Sequence, residues 1–190
     1  MTTLPAVTYG ADASGLICGF QFGEAGPGTA IGAEDALRWL EQNADAPTAG
    51  FVWLHFNLAH TATEKWLREH VHLSNAFHES LKEGSRSTRV EVDDDMLVAV
   101  VNDVAYDFAF EPGDISTMWL TVGPRLVISA RMQPLRSIDR LRDAVKKGIT
   151  LRSSVELLVH LMHDQATCWS ILCAPPQRGL TAWRTICCPV

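Results

Sequence analysis

The first 164 residues contain a single cysteine, Cys18. A disulfide framework therefore does not hold this region together, and a reducing, cytosolic setting fits it. No stretch reaches the roughly 20 apolar residues that a membrane-spanning helix requires. Residues 1–10 lack the basic segment followed by an apolar one that marks a secretory leader. Basic residues number 16 against 22 acidic ones, a net charge of −6, so the positive stripe of a nucleic-acid binder is missing. There is no Gly-x-Ser-x-Gly nucleophile elbow. Gly23, Gly26 and Gly28 lack the lysine and the strand-to-helix context of a phosphate-binding loop. An enzymatic reading thus has no residues to carry it, and no cofactor is required.

What is present is a chain of 190 residues with 47% hydrophobic and 20% charged residues, enough for one domain with a substantial core. Residues 16–22 form an apolar run that reads as a strand. Residues 24–28 read as a turn. Ala36, Leu37 and Leu40 recur at helical spacing within 31–42. After a loop over 43–50, the aromatic and β-branched run 51–56 reads as a buried strand. Thr61 and Glu64 stand at the spacing of a capping box opening a helix over 62–70, which would bury Trp66 and Leu67. Ser74 is a second N-cap candidate, with Phe77 and Leu81 on one face of a helix ended by Gly84.

Five strands are expected next, over 89–92, 96–102, 104–110, 115–122 and 126–130. Turn signals separate them at Asp93–Asp95, Glu111–Asp114 and Gly123–Pro124. Such short links favour antiparallel pairing. Ile138, Leu141 and Val145 then line one face of a charged helix, with Gly148 as its C′ residue. Ser153 and Glu156 repeat the capping-box spacing and open another helix, with Val155, Leu158, Val159 and Met162 as its inner stripe. The order predicts an α/β (α+β) domain with a largely antiparallel sheet layered between helices.

Composition changes after Asp164. Residues 165–190 contain no Asp or Glu, but four of the five cysteines: Cys168, Cys173, Cys187 and Cys188. Their spacing does not match a zinc ribbon or finger. Pro175 and Pro176 would each cost a helix interior roughly 3 kcal/mol. The expected division is an N-terminal segment 1–15, a domain 16–164 and an atypical tail 165–190, of the kind a shifted reading frame would produce.

The candidate metal ligands are His160, His163 and Asp164. At i, i+3 and i+4 a helix holds them near one another, and imidazole and carboxylate are suitable ligands for zinc. The alternative is three solvated residues at a helix edge. A second, looser set is His55, His60, His70, His72 and His78. The acidic run Asp93–Asp95 could attract a hard cation or form a solvated hairpin tip.

The run Trp53-Leu54-His55-Phe56-Asn57, then Trp66-Leu67, the segment Leu73–Leu81, Arg89-Val90, residues 96–101 and Leu126-Val127-Ile128-Ser129-Ala130-Arg131 resemble, in this order, the N-terminal cytosolic domain of ZntB-type zinc transporters of the CorA superfamily. The likeness covers about residues 16–164. It implies a funnel domain at the cytoplasmic face of the inner membrane, a homopentameric assembly, and divalent cations (zinc or magnesium) as partners. Membrane contact would come only through C-terminal helices. It also implies that acidic positions such as Asp93–Asp95, Asp139, Asp143 and Asp164 would concentrate cations. The turn before Arg89 departs from the family pattern, reading Gly-Ser-Arg-Ser-Thr. A rival reading is a metal-binding regulatory module using His55, His60, His160 and His163; another is a fragment without function.

Overall fold

The computed structural model describes residues 11–23, 26–46, 50–83, 88–93, 95–105 and 115–173. Seven strands and five helices follow one another as β1 (Leu16–Phe22), β2 (Thr29–Ala30), α1 (Ala33–Gln42), β3 (Phe51–Asn57), α2 (Thr63–His70), α3 (Asn75–Glu83), β4 (Arg89–Asp93), β5 (Met96–Val104), β6 (Ile115–Val122), β7 (Leu126–Arg131), α4 (Arg136–Lys146) and α5 (Ser154–Cys173). The strands make one sheet in the order β2-β1-β3-β7-β6-β5-β4. All pairings are antiparallel except β3 with β7, which run parallel from Val52↔Leu126 to Asn57↔Arg131.

Side chains alternate across the pleat, so each strand feeds two cores. On one face Trp53, Val127, Leu120 and Val101 pack against Ile138, Leu141 and Val145 of α4 and Leu157 and Leu161 of α5. On the other, Leu54, Ile128, Trp119 and Val100 pack against Ala36 of α1, Leu67 of α2 and Phe77 of α3. The architecture is the layered α/β domain expected, with a largely antiparallel sheet between helices. The central strand β3 is buried at six of its seven positions, which is why its apolar run is nearly continuous.

Local chemistry explains several boundaries. The amide of Ile31 donates to the Gly19 carbonyl, so the chain there belongs to the sheet region and α1 opens at Ala33. Gly148 takes φ +91° after α4, the left-handed conformation that glycine adopts without penalty. Gly50 takes φ +96°, and a Cβ there would lie 1.9 Å from the Phe22 carbonyl oxygen. The Ser74 hydroxyl accepts from the Phe77 amide at 3.3 Å, the expected cap of α3. Ser153 accepts from the Glu156 amide at 3.2 Å, and Glu156 Oε2 accepts from the Arg152 amide at 2.7 Å. The second capping box therefore forms, reaching one residue further back than the standard pattern.

Three expectations change. Thr61 and Glu64 do not cap α2, whose N-cap is Ala62 without a side-chain bond. Thr63 is buried instead, its hydroxyl donating to the Asn57 carbonyl at 2.6 Å. The separate strands expected over 96–102 and 104–110 are one strand as far as Val104, and 106–110 lie outside the described residues. Of the expected inner stripe of α5, Leu158 and Met162 pack half-buried against the core beside the buried Leu157 and Leu161, while Val155 and Val159 are 59% and 62% exposed. Helix α5 also runs through the Asp164–Gln165 boundary to Cys173 without a break. Gly84, Asp94, Glu111–Asp114, Pro175, Pro176, Cys187 and Cys188 lie outside the described residues.

Candidate functional site

Two of the three candidate metal ligands come together on α5. Asp164 Oδ2 lies 3.2 Å from His160 Nδ1, both half-buried. The spacing i, i+4 places them one turn apart on one face. The approach is within ion-pair distance, but its angle is outside hydrogen-bond geometry. His163 is exposed, and its backbone carbonyl accepts from the Thr167 hydroxyl at 2.9 Å. Among the described residues no three His, Cys, Asp or Glu side chains are grouped to hold a metal ion. The arrangement is thus a two-donor His–carboxylate pair.

The looser histidine set is scattered. His55 lies fully buried inside β3. His60 sits in the turn before α2, its Nδ1 accepting from the Ala62 amide at 3.3 Å. His70 stacks on Trp66 with ring centroids 5.1 Å apart. His72 is exposed beyond α2. His70 and His72 line a shallow groove of about 400 Å³ with Leu37, Leu40, Glu41, Glu69, Val71 and Leu126. His78 on α3 has its pKa lowered by desolvation first, then by Arg68 and Lys82.

The face under α4 and α5 holds a polar network that the residue patterns did not single out. Asp103, fully buried near the end of β5, accepts from the Ser137 amide at 3.1 Å and the Ser137 hydroxyl at 2.5 Å. Its Oδ1 has no hydrogen-bond partner among the described residues. Gln165 on α5 donates to the Asn102 carbonyl at 2.5 Å, and Arg140 on α4 donates to Cys168 Sγ at 3.8 Å. Burial raises the Cys168 thiol pKa, with Arg140 opposing the shift and Asp103 and Asp164 adding to it. The signal for Asp103 was present in sequence: a carboxylate interrupting the apolar run Val98-Ala99-Val100-Val101-Asn102-Asp103-Val104.

A second set crosses β1, β3 and β7, with His55 and Ser129 fully buried and Cys18 half-buried. Cys18 faces His55, and His55 faces Ser129. Ser129 Oγ lies 2.8 Å from both Trp53 Nε1 and His55 Nδ1. The indole can only donate, so Ser129 Oγ accepts from Trp53, while the direction of the His55 Nδ1 contact follows the imidazole tautomer. Burial, then the charges of Arg131 and Arg142, hold the His55 pKa well below the ordinary value. Cys18 is pushed up to about 11 by burial, against the opposing pull of Arg142, Lys146 and Arg131. Arg131 is itself lowered by desolvation, partly offset by Asp139. A neutral imidazole and a protonated thiol in tight packing form structure, not a nucleophile–base pair.

The acidic positions differ in availability. Asp139 pairs with Arg142 at 3.1 Å, and Asp93 accepts from the Ala76 amide at 3.4 Å. Asp143 on α4 and Asp95 are both exposed.

Residues 48–167 match the family model described as "CorA-like Mg2+ transporter protein". The chain is 25% identical over 155 residues to the divalent cation transporter CmaX of Pseudomonas aeruginosa, covering 80% of this chain and 45% of the relative. The fold superposes on the full-length CmaX structure with a TM-score of 0.72 at 24% identity, over 85% of this chain and 48% of that one. It superposes on the ZntB cytoplasmic domain of Vibrio parahaemolyticus with a TM-score of 0.64 at 17% identity, over 82% and 59% of the two chains. The chain thus spans about half the length of the transporters it matches. No helix among the described residues is long and apolar enough to cross a membrane.

Proposed function

The chain belongs to the CorA-like Mg2+ transporter family, and from that premise we propose that it serves as the cytosolic, cation-handling domain of a divalent-metal transporter. It is not an enzyme: its family and its relatives are transporters and transporter domains. The observation that carries the proposal is the extent of the family match, which runs from before β3 into α5 and so takes in the central strand and both faces of the sheet.

In this reading residues 16–164 are the working unit and 165–190 a tail of different composition. The domain sits at the cytoplasmic face of the membrane and assembles as a homo-oligomer, a pentamer by analogy with the transporter family. A net charge of −6 raises the local concentration of cations near such a domain. A bound cation can bias an open–closed equilibrium only through unequal affinity for the two states. The domain's contribution is therefore conformational and electrostatic.

Zinc is the cation the donor set favours. His160 and Asp164 offer one nitrogen and one carboxylate, a combination suited to zinc, whereas magnesium prefers oxygen ligands and keeps most of its water. Two donors give weak binding, as expected of a regulated passage rather than a storage site.

The proposal is tested by a chimera. Residues 16–164 replace the matching segment of CmaX, and cation uptake is followed in proteoliposomes with a zinc- or magnesium-sensitive dye. Uptake at or near the CmaX rate supports the proposal. A chimera that assembles in the membrane but passes neither cation overturns it.

A further inference from the structure

Helix α5 carries apolar residues on two sides. Leu157 and Leu161 point into the core between the sheet and α4, and Cys168 is buried on the same side. The opposite side carries Val155, Val159, Met162, Ala166 and Trp169. Val155 and Val159 are 59% and 62% exposed, Ala166 is exposed, and Met162 and Trp169 are half-buried. A helix on the outside of a domain ordinarily turns a polar face to water, and one that is apolar all round is built to be covered.

The outer set has a regular spacing. Its five residues follow one another at steps of 4, 3, 4 and 3, the a/d repeat of a coiled-coil seam. Arg152 continues the repeat one step toward the N-terminus. Glu156 and His163, both exposed, flank the seam on one side, in the position where charged residues choose the partner and its direction. His160 and Asp164 lie outside the seam.

We propose that α5 packs antiparallel against α5 of a second copy, about a twofold axis at the level of His160 and Leu161. In that register Val155 layers with the second copy's Ala166, and Val159 with its Met162. Arg152 reaches the second copy's Trp169, where a guanidinium can lie over the indole. Glu156 stands beside the second copy's His163, whose imidazole N–H can donate to the carboxylate. Each of these contacts occurs twice by symmetry. A parallel pair would instead set His163 beside Leu158 and Glu156 beside Leu151. The occupant is a second copy because the reversed seam is its own complement. Val155 meets the smaller Ala166, and the acidic flank meets a basic one. The pairing is isologous and closes at two. It is thus a contact additional to the ring assembly proposed above and does not depend on it.

The experiment uses the full 190-residue chain and sedimentation equilibrium over a concentration series. The wild type is expected to show a reversible monomer–dimer equilibrium. Val159→Lys places a charge inside the seam and is expected to weaken the dimer by at least about tenfold. Val159 is exposed in the single chain, so the dilute variant should melt with the wild type when followed by circular dichroism. His163→Glu opposes Glu156 twice and is expected to weaken the dimer about fivefold. His163→Lys provides a basic partner for Glu156 and should dimerise at least as tightly as the wild type. A wild type that stays monomeric throughout overturns the proposal. So does a dimer that Val159→Lys leaves unchanged, or one that His163→Glu and His163→Lys weaken equally.

Discussion

Asp103, at the end of β5, caps the first turn of α4 through Ser137, accepting bonds from both its amide and its hydroxyl. The N-cap residue itself, Leu135, has no side chain able to do this. A carboxylate from 34 residues away thus meets the exposed amides and the positive end of the helix dipole. Removing it would leave buried donors unpaired. Asp103→Ala is expected to cost about 2–4 kcal/mol of stability, measured by urea unfolding followed at the tryptophans. A loss below about 0.5 kcal/mol would show that the cap contributes little.

The buried His55 imidazole makes the fold sensitive to acid. Its folded pKa is depressed below the ordinary 6.5, so the unfolded chain binds the proton more readily. Stability from this group is complete above about pH 6.5 and falls as pH drops below it. The chain is expected to lose stability between pH 6.5 and 5, and His55→Asn should flatten that slope while lowering stability at pH 7.5. Unfolding midpoints across this range decide the matter. An equal slope in both proteins would assign the acid sensitivity elsewhere.

Helix α5 separates two kinds of apolar residue. Leu157→Ala and Leu161→Ala each empty part of a closed core and are expected to cost about 2–5 kcal/mol. Val155→Lys and Val159→Lys act at exposed positions and should stay within about 0.5 kcal/mol. Comparable losses at all four positions would contradict the face assigned to the helix.

Cys18 provides a chemical reading of burial. With its pKa moved from 9.0 to about 11, its thiolate fraction at pH 8 falls about a hundredfold, and the thiolate is the reactive species. Peptide mapping after brief iodoacetamide treatment of the native protein is expected to find Cys18 alkylated at least about a hundredfold more slowly than in urea. Equal rates would mean that β1 opens readily.

Zinc binding should follow the pair and not the triplet. His160→Ala and Asp164→Asn are each expected to remove most of the heat of zinc binding in calorimetry. His163→Ala should leave it within about twofold, since His163 points to solvent. A larger effect at His163 than at His160 would reverse the assignment.

Much of this architecture was legible from residue patterns because it rests on periodicity. The run 51–56 became β3, and Ile138, Leu141 and Val145 became the buried face of α4. Tertiary choices were not legible. Val155, Leu158, Val159 and Met162 make a regular helical stripe, yet only Leu158 and Met162 reach the core that Leu157 and Leu161 fill, because the position of the sheet selects the face. Thr61 had the right spacing to cap α2, but the chain buried Thr63 against the Asn57 carbonyl instead. The carboxylate of Asp103 stood out in its apolar run, but its pairing with Ser137 was hidden because the two lie far apart along the chain and no local motif links them. Of the candidate ligands, the i, i+4 pair His160 and Asp164 was recoverable from spacing; that His163 faces outward was not.

The parallel seam between β3 and β7 sets an order of events during synthesis. His55 and Ser129, which meet across it, are 74 residues apart. At the usual 5–20 residues per second, a ribosome needs roughly 4–15 seconds to supply β7 once β3 has emerged. For that interval a strand destined to be buried at six of its seven positions has β1 on one flank and nothing on the other. A chaperone that shields extended apolar segments would find its best target there, and slowing translation across residues 58–125 would lengthen the exposure.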